Sequence, residues 1–198
     1  MTACTTRLTQ QLQFIIEIDK LKTILRQTLL MDESRRENSA EHSWHLALMA
    51  MLLAEYSPKP VNLLRVIQML LIHDIVEVDA GDTFCYDVQG HQDKAEREAA
   101  AAKRLFGLLP NDQEVMFHDL WNEFEERETM ESQFAAALDR IQPFLHNQQT
   151  KGGTWRLNGI TQSQVIERMM PVKDGTPELW EWLEVALNDC VEAGYLIP

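Results

Sequence analysis

The sequence has few cysteines and no long apolar run. Its three cysteines, Cys4, Cys85 and Cys190, are far apart and form no CxxC pair, so neither a disulfide framework nor a zinc–thiolate site is predicted. No stretch reaches the roughly 18 uncharged apolar residues of a membrane span, and residues 1–13 lack an apolar segment of signal-peptide length. We therefore expect a soluble, cytoplasmic protein without a membrane partner.

Positive charge is also scarce. Lys and Arg number 18 against 31 Asp and Glu, which gives a formal net charge of −13 at pH 7. An acidic surface is repelled by nucleic acid backbones and by anionic membranes. A nucleic acid polymer is therefore not an expected partner, and a small anion would need a local group of cations.

The apolar residues recur at helical rather than alternating spacing, as in Phe14, Ile15, Ile18, Leu21 and Leu25. Segments rich in Gly, Pro, Asn and Asp separate about seven helices. These breaks fall at 32–38, 57–60, 80–90, 109–111, 147–159 and 171–177. No linker is long enough to divide the 198 residues, so we expect an all-α fold with a single domain over 1–198.

The most unusual feature of the sequence is a group of three ionisable residues at the end of an apolar helix. His73, Asp74 and Glu77 follow the apolar segment 69–72. Buried ionisable groups need compensation, and a divalent cation would supply it, because imidazole and carboxylate both donate to such metals. Further ligands must then come from elsewhere in the chain.

His42 and Asp139 are the candidates for these further ligands. His42 lies in the first turn of a helix whose start carries a capping-box pattern, with Asn38 three residues before Glu41. Asp139 interrupts a strongly apolar helical segment. The alternative is a set of partly buried His and Asp side chains that are satisfied by hydrogen bonds or ion pairs.

The order of these candidate ligands along the chain, His, then His-Asp, then Asp, resembles that of the HD superfamily of metal-dependent phosphohydrolases, in which the ligands lie on separate helices. In this sequence the set is His42, His73, Asp74 and Asp139. The segments at 35–38, 73–77 and 80–82 resemble the branch that contains bacterial and eukaryotic 5′-deoxynucleotidases.

The resemblance covers about residues 21–145 and implies a helical bundle with one divalent metal between its helices. The C-terminal helices at about 160–192 are expected to pack on this core. Two imidazoles with two carboxylates suit Mn, Co, Zn, Fe, Ni or Mg, so the metal's identity stays open. Relatives of this kind are commonly dimers, and a homodimer is therefore expected.

The resemblance also implies roles for other residues. Glu77 would act as general base towards the attacking water, and Asp82, in the turn after Gly81, would act as general acid. Arg26 would hold the substrate phosphate, with Arg35 as the next candidate, because the arginine fork suits phosphate oxygens. The alternatives are a solvent-facing or ion-paired acid at Glu77, an acid favoured by turn geometry at Asp82, and surface ion pairs for the arginines.

These implied roles predict a metal-dependent phosphohydrolase that removes phosphate from a nucleoside 5′-monophosphate, including deoxyribonucleotides. Some relatives carry an aromatic residue after the phosphate-binding arginine, but Gln27 stands there in this chain, so a deoxyribose preference cannot simply be carried over. One alternative is a catalytically silent nucleotide-sensing or regulatory HD-domain protein; another is a structural helical protein without metal. His45 is interpreted as a packing or supporting group, and His146 has no predicted role.

Overall fold

A computed structural model describes the backbone of residues 3–198 and the side chains from residue 6 onward. Within this part of the chain the helices are α1 (Ala3–Ile18), α2 (Ser39–Leu53), α3 (Leu63–Ile72), α4 (Glu77–Ala80), α5 (Lys94–Phe106), α6 (Asn111–Glu126), α7 (Met130–Gln149), α8 (Gly153–Asn158), α9 (Gln162–Gly175) and α10 (Pro177–Glu192). Short 3₁₀ helices occupy Asp19–Thr23, Ala54–Tyr56 and His73–Val76. Strands β1 (Leu25–Leu29) and β2 (Arg36–Asn38) form one antiparallel pair.

The all-α prediction is confirmed, but the structure has more helices than the predicted seven. The long helix expected after residue 112 is two helices, because Arg127 ends α6 in the left-handed conformation (φ 56°). Thr129 then begins α7 with a capping box to Ser132. Helix α8 also forms inside the break predicted at 147–159.

The strand β1 replaces the end of the first predicted helix. The 3₁₀ helix Asp19–Thr23 ends the helical segment, and Ile24 is extended (φ −82°, ψ 111°). Residues 25–29 then pair with residues 36–38 through a short turn. Helical spacing in the sequence does not reveal this pairing, which depends on contact between two segments.

Helix α7 forms the centre of the core. Its residues Phe134, Ala135, Ala137 and Leu138 are fully buried, and it packs against α2, α3, α6 and α9. A helix that is apolar on almost all sides belongs inside a protein rather than at its surface. Asp139 therefore lies on the most enclosed helix of the bundle, which explains why an acid there needs a partner.

Helix α9 lies unusually close to α7 at Gly175. A Cβ at this position would lie 2.3 Å from the carbonyl oxygen of Gln133 and 3.0 Å from the Cβ of Ala137. Only glycine permits this approach, because the nearest atom belongs to the backbone and cannot rotate away.

Among the described residues, no helix combines the length and the apolar character needed to cross a membrane. Cys85 and Cys190 are free thiols, and the side chain of Cys4 lies outside the described part.

Candidate metal centre

Three helical segments bring His42, His73 and Asp139 together in the interior. Their ligand atoms lie within 4.8 Å of one another. The Nε2 of His42 is 2.9 Å from Oδ1 of Asp139, and the Nε2 of His73 is 3.8 Å from the same oxygen. His42 comes from α2, His73 from the turn after α3, and Asp139 from α7.

Both imidazoles are held so that Nε2 faces this centre. The Nδ1 of His73 lies 2.9 Å from the carbonyl oxygen of Leu70, and the Nδ1 of His42 lies 3.1 Å from Oε1 of Gln142. Because the facing oxygens accept, each Nδ1 carries a proton and donates it, and Nε2 is the ring nitrogen that can bind a cation when the imidazole is neutral. Hydrogen bonds of this kind typically orient metal-binding histidines.

The chemistry of these donors fits a divalent cation. The buried Nε2 of His73 has no hydrogen-bond partner in the described part of the chain. The Nε2 of His42 and Oδ1 of Asp139 are both acceptors in these states, and a separation of 2.9 Å requires a proton or a cation between them. Neutral imidazoles and a carboxylate are suitable ligands for a divalent metal.

Asp74 adds a second carboxylate beside the centre. Its Oδ1 lies 3.1 Å from Nε2 of His73 and its Oδ2 lies 4.0 Å from Nε2 of His42. The pKa of Asp139 is affected oppositely by two influences: burial raises it, but Arg140 and the two imidazoles lower it well below its ordinary value. Asp139 is therefore ionised and able to bind a cation.

Arg26 extends from β1 into this acidic group. Its Nη1 donates to Oδ2 of Asp74 at 2.8 Å and lies 3.7 Å from Oδ1 of Asp82. Burial alone would lower the pKa of Arg26, but four surrounding carboxylates, led by Asp74, outweigh burial and raise that pKa. Arg26 is thus a permanently charged donor within the site.

Glu77 begins α4 and is buried within the same site. The hydroxyl of Ser39 donates to its Oε2 at 2.6 Å. Burial, followed by the charge of Asp74, raises the pKa of Glu77 well above its ordinary value, although Arg26 and Ser39 oppose this effect. A carboxylate with a raised pKa accepts a proton more readily than a solvated glutamate.

Asp82 returns to the site because Gly81 turns the chain at the end of α4. Gly81 has φ 74° and ψ 153°, a conformation that side chains with a Cβ strongly disfavour. Burial raises the pKa of Asp82, and Arg26 partly offsets that increase. Glu77 and Asp82 therefore approach the same centre from the two ends of α4.

A cavity of about 340 Å³ joins these groups. Its lining includes Arg26, His73, Asp74, Glu77, Asp82 and Asp139. The volume lies within the range of small-molecule sites, roughly 300–1,000 Å³. The cavity thus brings together candidate cation ligands, a buried carboxylate with a raised pKa and a charged hydrogen-bond donor.

Arg35 lies apart from this group. It is half exposed in the turn before β2, and both of its terminal nitrogens donate to Glu41, at 2.8 and 2.6 Å. The structure therefore assembles every predicted site residue except Arg35.

The sequence interpretation missed a buried polar network behind His42. The amide nitrogen of Gln142 lies 2.6 Å from Oε1 of Glu37, 3.0 Å from Nε2 of His146 and 3.3 Å from Nδ1 of His45. Gln142 is three residues after Asp139 on α7, so it shares that face of the helix. This spacing was one available signal, and a second was that Glu37 lies in the segment 35–38, which carries part of the family resemblance.

This combination of fold and site defines an HD domain. The chain matches the HD domain family over residues 18–180, and it therefore belongs to that family. The match extends past residue 145 to include α9, beyond the part in which the resemblance is visible in the sequence alone.

The chain is similar to several named proteins of this class. It is 31% identical over 135 residues to 5′-deoxynucleotidase HDDC2 of Xenopus laevis, covering 68% of this chain and 66% of that protein. The human protein of the same name is 30% identical over 135 residues, covering 68% and 65%. The matched region thus spans slightly less than two thirds of these relatives' length.

A solved structure is more similar still. The chain is 54% identical to a predicted metal-dependent phosphohydrolase from Magnetospirillum magnetotacticum MS-1. The two structures superpose with a TM-score of 0.95, over 100% of this chain and 99% of the other. The arrangement of helices around the centre is therefore shared along the whole chain.

Proposed function

We propose that this protein is a metal-dependent phosphohydrolase that releases inorganic phosphate from nucleoside 5′-monophosphates. One observation carries the proposal: His42, His73 and Asp139 bring their ligand atoms together, and His73 and Asp139 line the same cavity as Glu77 and Arg26. The names of the similar proteins, a 5′-deoxynucleotidase and a predicted metal-dependent phosphohydrolase, support it.

In this proposal His42, His73, Asp74 and Asp139 hold one divalent cation. When bound, such a cation supplies Lewis acidity towards water and towards phosphate oxygens. Mn, Co, Zn, Fe, Ni and Mg are all compatible with two imidazoles and two carboxylates.

Glu77 is the general base of the proposed reaction. Ser39 occupies its Oε2, and no donor among the described residues reaches Oε1, so Oε1 is available for a proton from water. As the water oxygen bonds to phosphorus, its proton moves to Glu77. The raised pKa of Glu77 favours this transfer.

Asp82 and Arg26 act on the phosphate and the leaving group. Burial raises the pKa of Asp82, which increases the share of the protonated form that can donate to the ester oxygen when the P–O bond breaks. Arg26 is charged and directs Nη1 into the cavity beside Asp74, so it can hold a phosphate oxygen. The products are a nucleoside and inorganic phosphate.

The test is a phosphate-release screen of ribo- and deoxyribonucleoside 5′-monophosphates. The protein is treated with a chelator and then assayed with Mn, Co, Zn or Mg. We expect release with at least one metal, its loss in Asp139→Asn, and normal release in the control Asp119→Asn, an exposed acid on α6. Paired ribo and deoxy substrates also test the deoxyribose preference.

The rival is a sensor that binds a nucleotide without hydrolysing it. Tight binding of a nucleoside monophosphate to the metal-loaded protein, with no phosphate release for any metal or substrate, would overturn the proposed hydrolysis in favour of the sensor. The presence of both Glu77 and Asp82 in the cavity favours turnover.

We also propose a homodimer formed through α2. Its outward side exposes Trp44, Leu48, Met51 and Leu52, whose helical spacing makes one apolar stripe. A second copy would cover this stripe in a symmetric pair. Light scattering should give twice the chain mass, and Leu52→Glu should give the monomer mass, whereas Leu157→Glu, at an exposed position on α8, should not. A monomeric wild type would contradict the proposed homodimer.

The cytoplasmic location of the protein stays a prediction.

A further inference from the structure

Three arginines form a group beside the metal centre. Arg127 follows α6, Arg140 lies on α7 next to Asp139, and Arg168 lies on α9; we call them the arginine cluster. All three line the cavity that contains the metal centre, and all three also line a second cavity of about 380 Å³. The two cavities share this wall, so they lie next to each other.

The cluster has more positive charge than its protein partners neutralise. Arg140 pairs with Oδ2 of Asp139. Within the described part of the chain, the side chains of Arg127 and Arg168 form no hydrogen bond or ion pair. Glu125 and Glu167 also line the cavities, but neither reaches an arginine of the cluster.

Two donors of the cluster are buried without a partner. The Nε atoms of Arg127 and Arg140 are both inaccessible to solvent and unbonded, and Arg140 as a whole is only 6% exposed. A buried, unsatisfied donor on a charged group is costly to a folded protein. Burial, and to a smaller extent the charges of Arg168 and Arg127, lower the pKa of Arg140 to about 10 despite Asp139.

Ordinary surface pairing does not explain the cluster. Arginines elsewhere in this acidic protein, such as Arg7, Arg65 and Arg104, find carboxylate partners within 4 Å. Convergent guanidinium groups with free donors are instead suited to an anion with several oxygens, and phosphate matches their forked geometry best. Arg140 follows Asp139 in the chain and pairs with it, so this anion subsite lies directly beside the candidate metal centre.

We propose that the arginine cluster binds a second phosphate of the substrate, and that the preferred substrate is a nucleoside bisphosphate. The inference rests on the proposed function for its first phosphate, which is hydrolysed at the metal centre. The second phosphate stays on the product and is held by Arg127, Arg140 and Arg168. Tyr86 also lies on the wall shared by both cavities.

The kinetic test compares adenosine 3′,5′-bisphosphate with adenosine 5′-monophosphate on the metal-loaded enzyme. We expect a KM for the bisphosphate lower by about tenfold or more, the size of one or two charged hydrogen bonds. In Arg127→Gln and Arg168→Gln the ratio of the two KM values should approach one. The control Arg156→Gln, at an exposed arginine on α8, should keep the wild-type ratio.

A binding test separates this inference from the proposed hydrolysis. Calorimetry on the metal-loaded Glu77→Gln protein measures the affinity of both ligands without turnover. A preference for the bisphosphate that Arg168→Gln abolishes and Arg168→Lys partly restores would support the subsite, even if no substrate were hydrolysed. Equal affinity and equal KM for both ligands in an enzyme that hydrolyses the monophosphate would overturn the subsite and leave the proposed function intact.

Discussion

His42 donates from Nδ1 to the amide oxygen of Gln142 over 3.1 Å. The amide nitrogen of the same Gln142 donates to Glu37 at 2.6 Å, so the side chain cannot reverse without placing its oxygen against a carboxylate. The amide therefore has one stable orientation, and that orientation fixes the imidazole with Nε2 towards Asp139. A residue outside the candidate ligand set thus orients one of the candidate ligands.

Replacing Gln142 should weaken metal binding. Gln142→Leu removes the acceptor for His42 Nδ1 and leaves Glu37 without its donor, so metal affinity should fall by roughly 10- to 100-fold. The measurement is competition with a fluorescent chelator. Gln149→Leu, at an exposed position of the same helix, is the control. Unchanged affinity in Gln142→Leu would show that the network does not orient His42.

Metal removal should lower thermal stability. A cation at 100 times its Kd stabilises the folded state by about 2.7 kcal/mol, which corresponds to about 5–10 °C in Tm for a chain of this size. Scanning calorimetry with and without chelator should show this difference in the wild type and in His118→Gln, whose ring packs on Phe106. The difference should vanish in His73→Ala; a metal response that persists there would argue against His73 as a ligand.

Glu77→Gln should abolish turnover while metal stays bound. The amide keeps the size of the side chain and its contact with Ser39 but cannot accept the proton from water, so kcat should fall roughly 10²- to 10⁴-fold. Metal content by elemental analysis should equal that of the wild type. Asp79→Asn removes an acid from the same short helix, where it pairs with Arg104, and should leave kcat within about twofold. Wild-type turnover in Glu77→Gln would refute the base assignment.

Gly175→Ala should destabilise the fold. The added methyl would meet the backbone carbonyl of Gln133, so α9 must move away from α7, at a cost of about 1–3 kcal/mol. Urea denaturation measures the free energy of unfolding. Met170→Ala, at an exposed site on α9, should change it by less than about 0.5 kcal/mol. Equal stability in Gly175→Ala would mean that the two helices are not tightly fitted.

Three of the four candidate metal ligands were visible in the sequence because they interrupt the apolar pattern around them. His73, Asp74 and Asp139 interrupt apolar helices, and such anomalies are visible without a structure. The HD resemblance added their order, and the family match confirms that resemblance. Helical spacing also predicted the fold class correctly, because most elements bury one or more apolar faces.

The strand pair and the supporting residues were not predictable by the same reasoning. Arg26 reaches the site from β1, a strand that exists only because residues 36–38 lie beside it. Glu37 and His146 meet through Gln142 although they are distant in sequence. Arg168 appears in the sequence as one more charge on a surface helix, and only the packing of α9 on α7 brings it to the cavity.

The close approach of α9 to α7 at Gly175 has a consequence for how the cavity beside the candidate metal centre can change during evolution. The proposed chemistry depends on residues between Arg26 and Asp139, whereas Arg168 lies on α9, two helical turns before Gly175. In the proposed reaction, mutations along the cavity side of α9 would alter which molecules fit without removing a reacting group. Ligand preference and catalysis can diverge independently in descendants of this chain, as long as position 175 keeps its glycine.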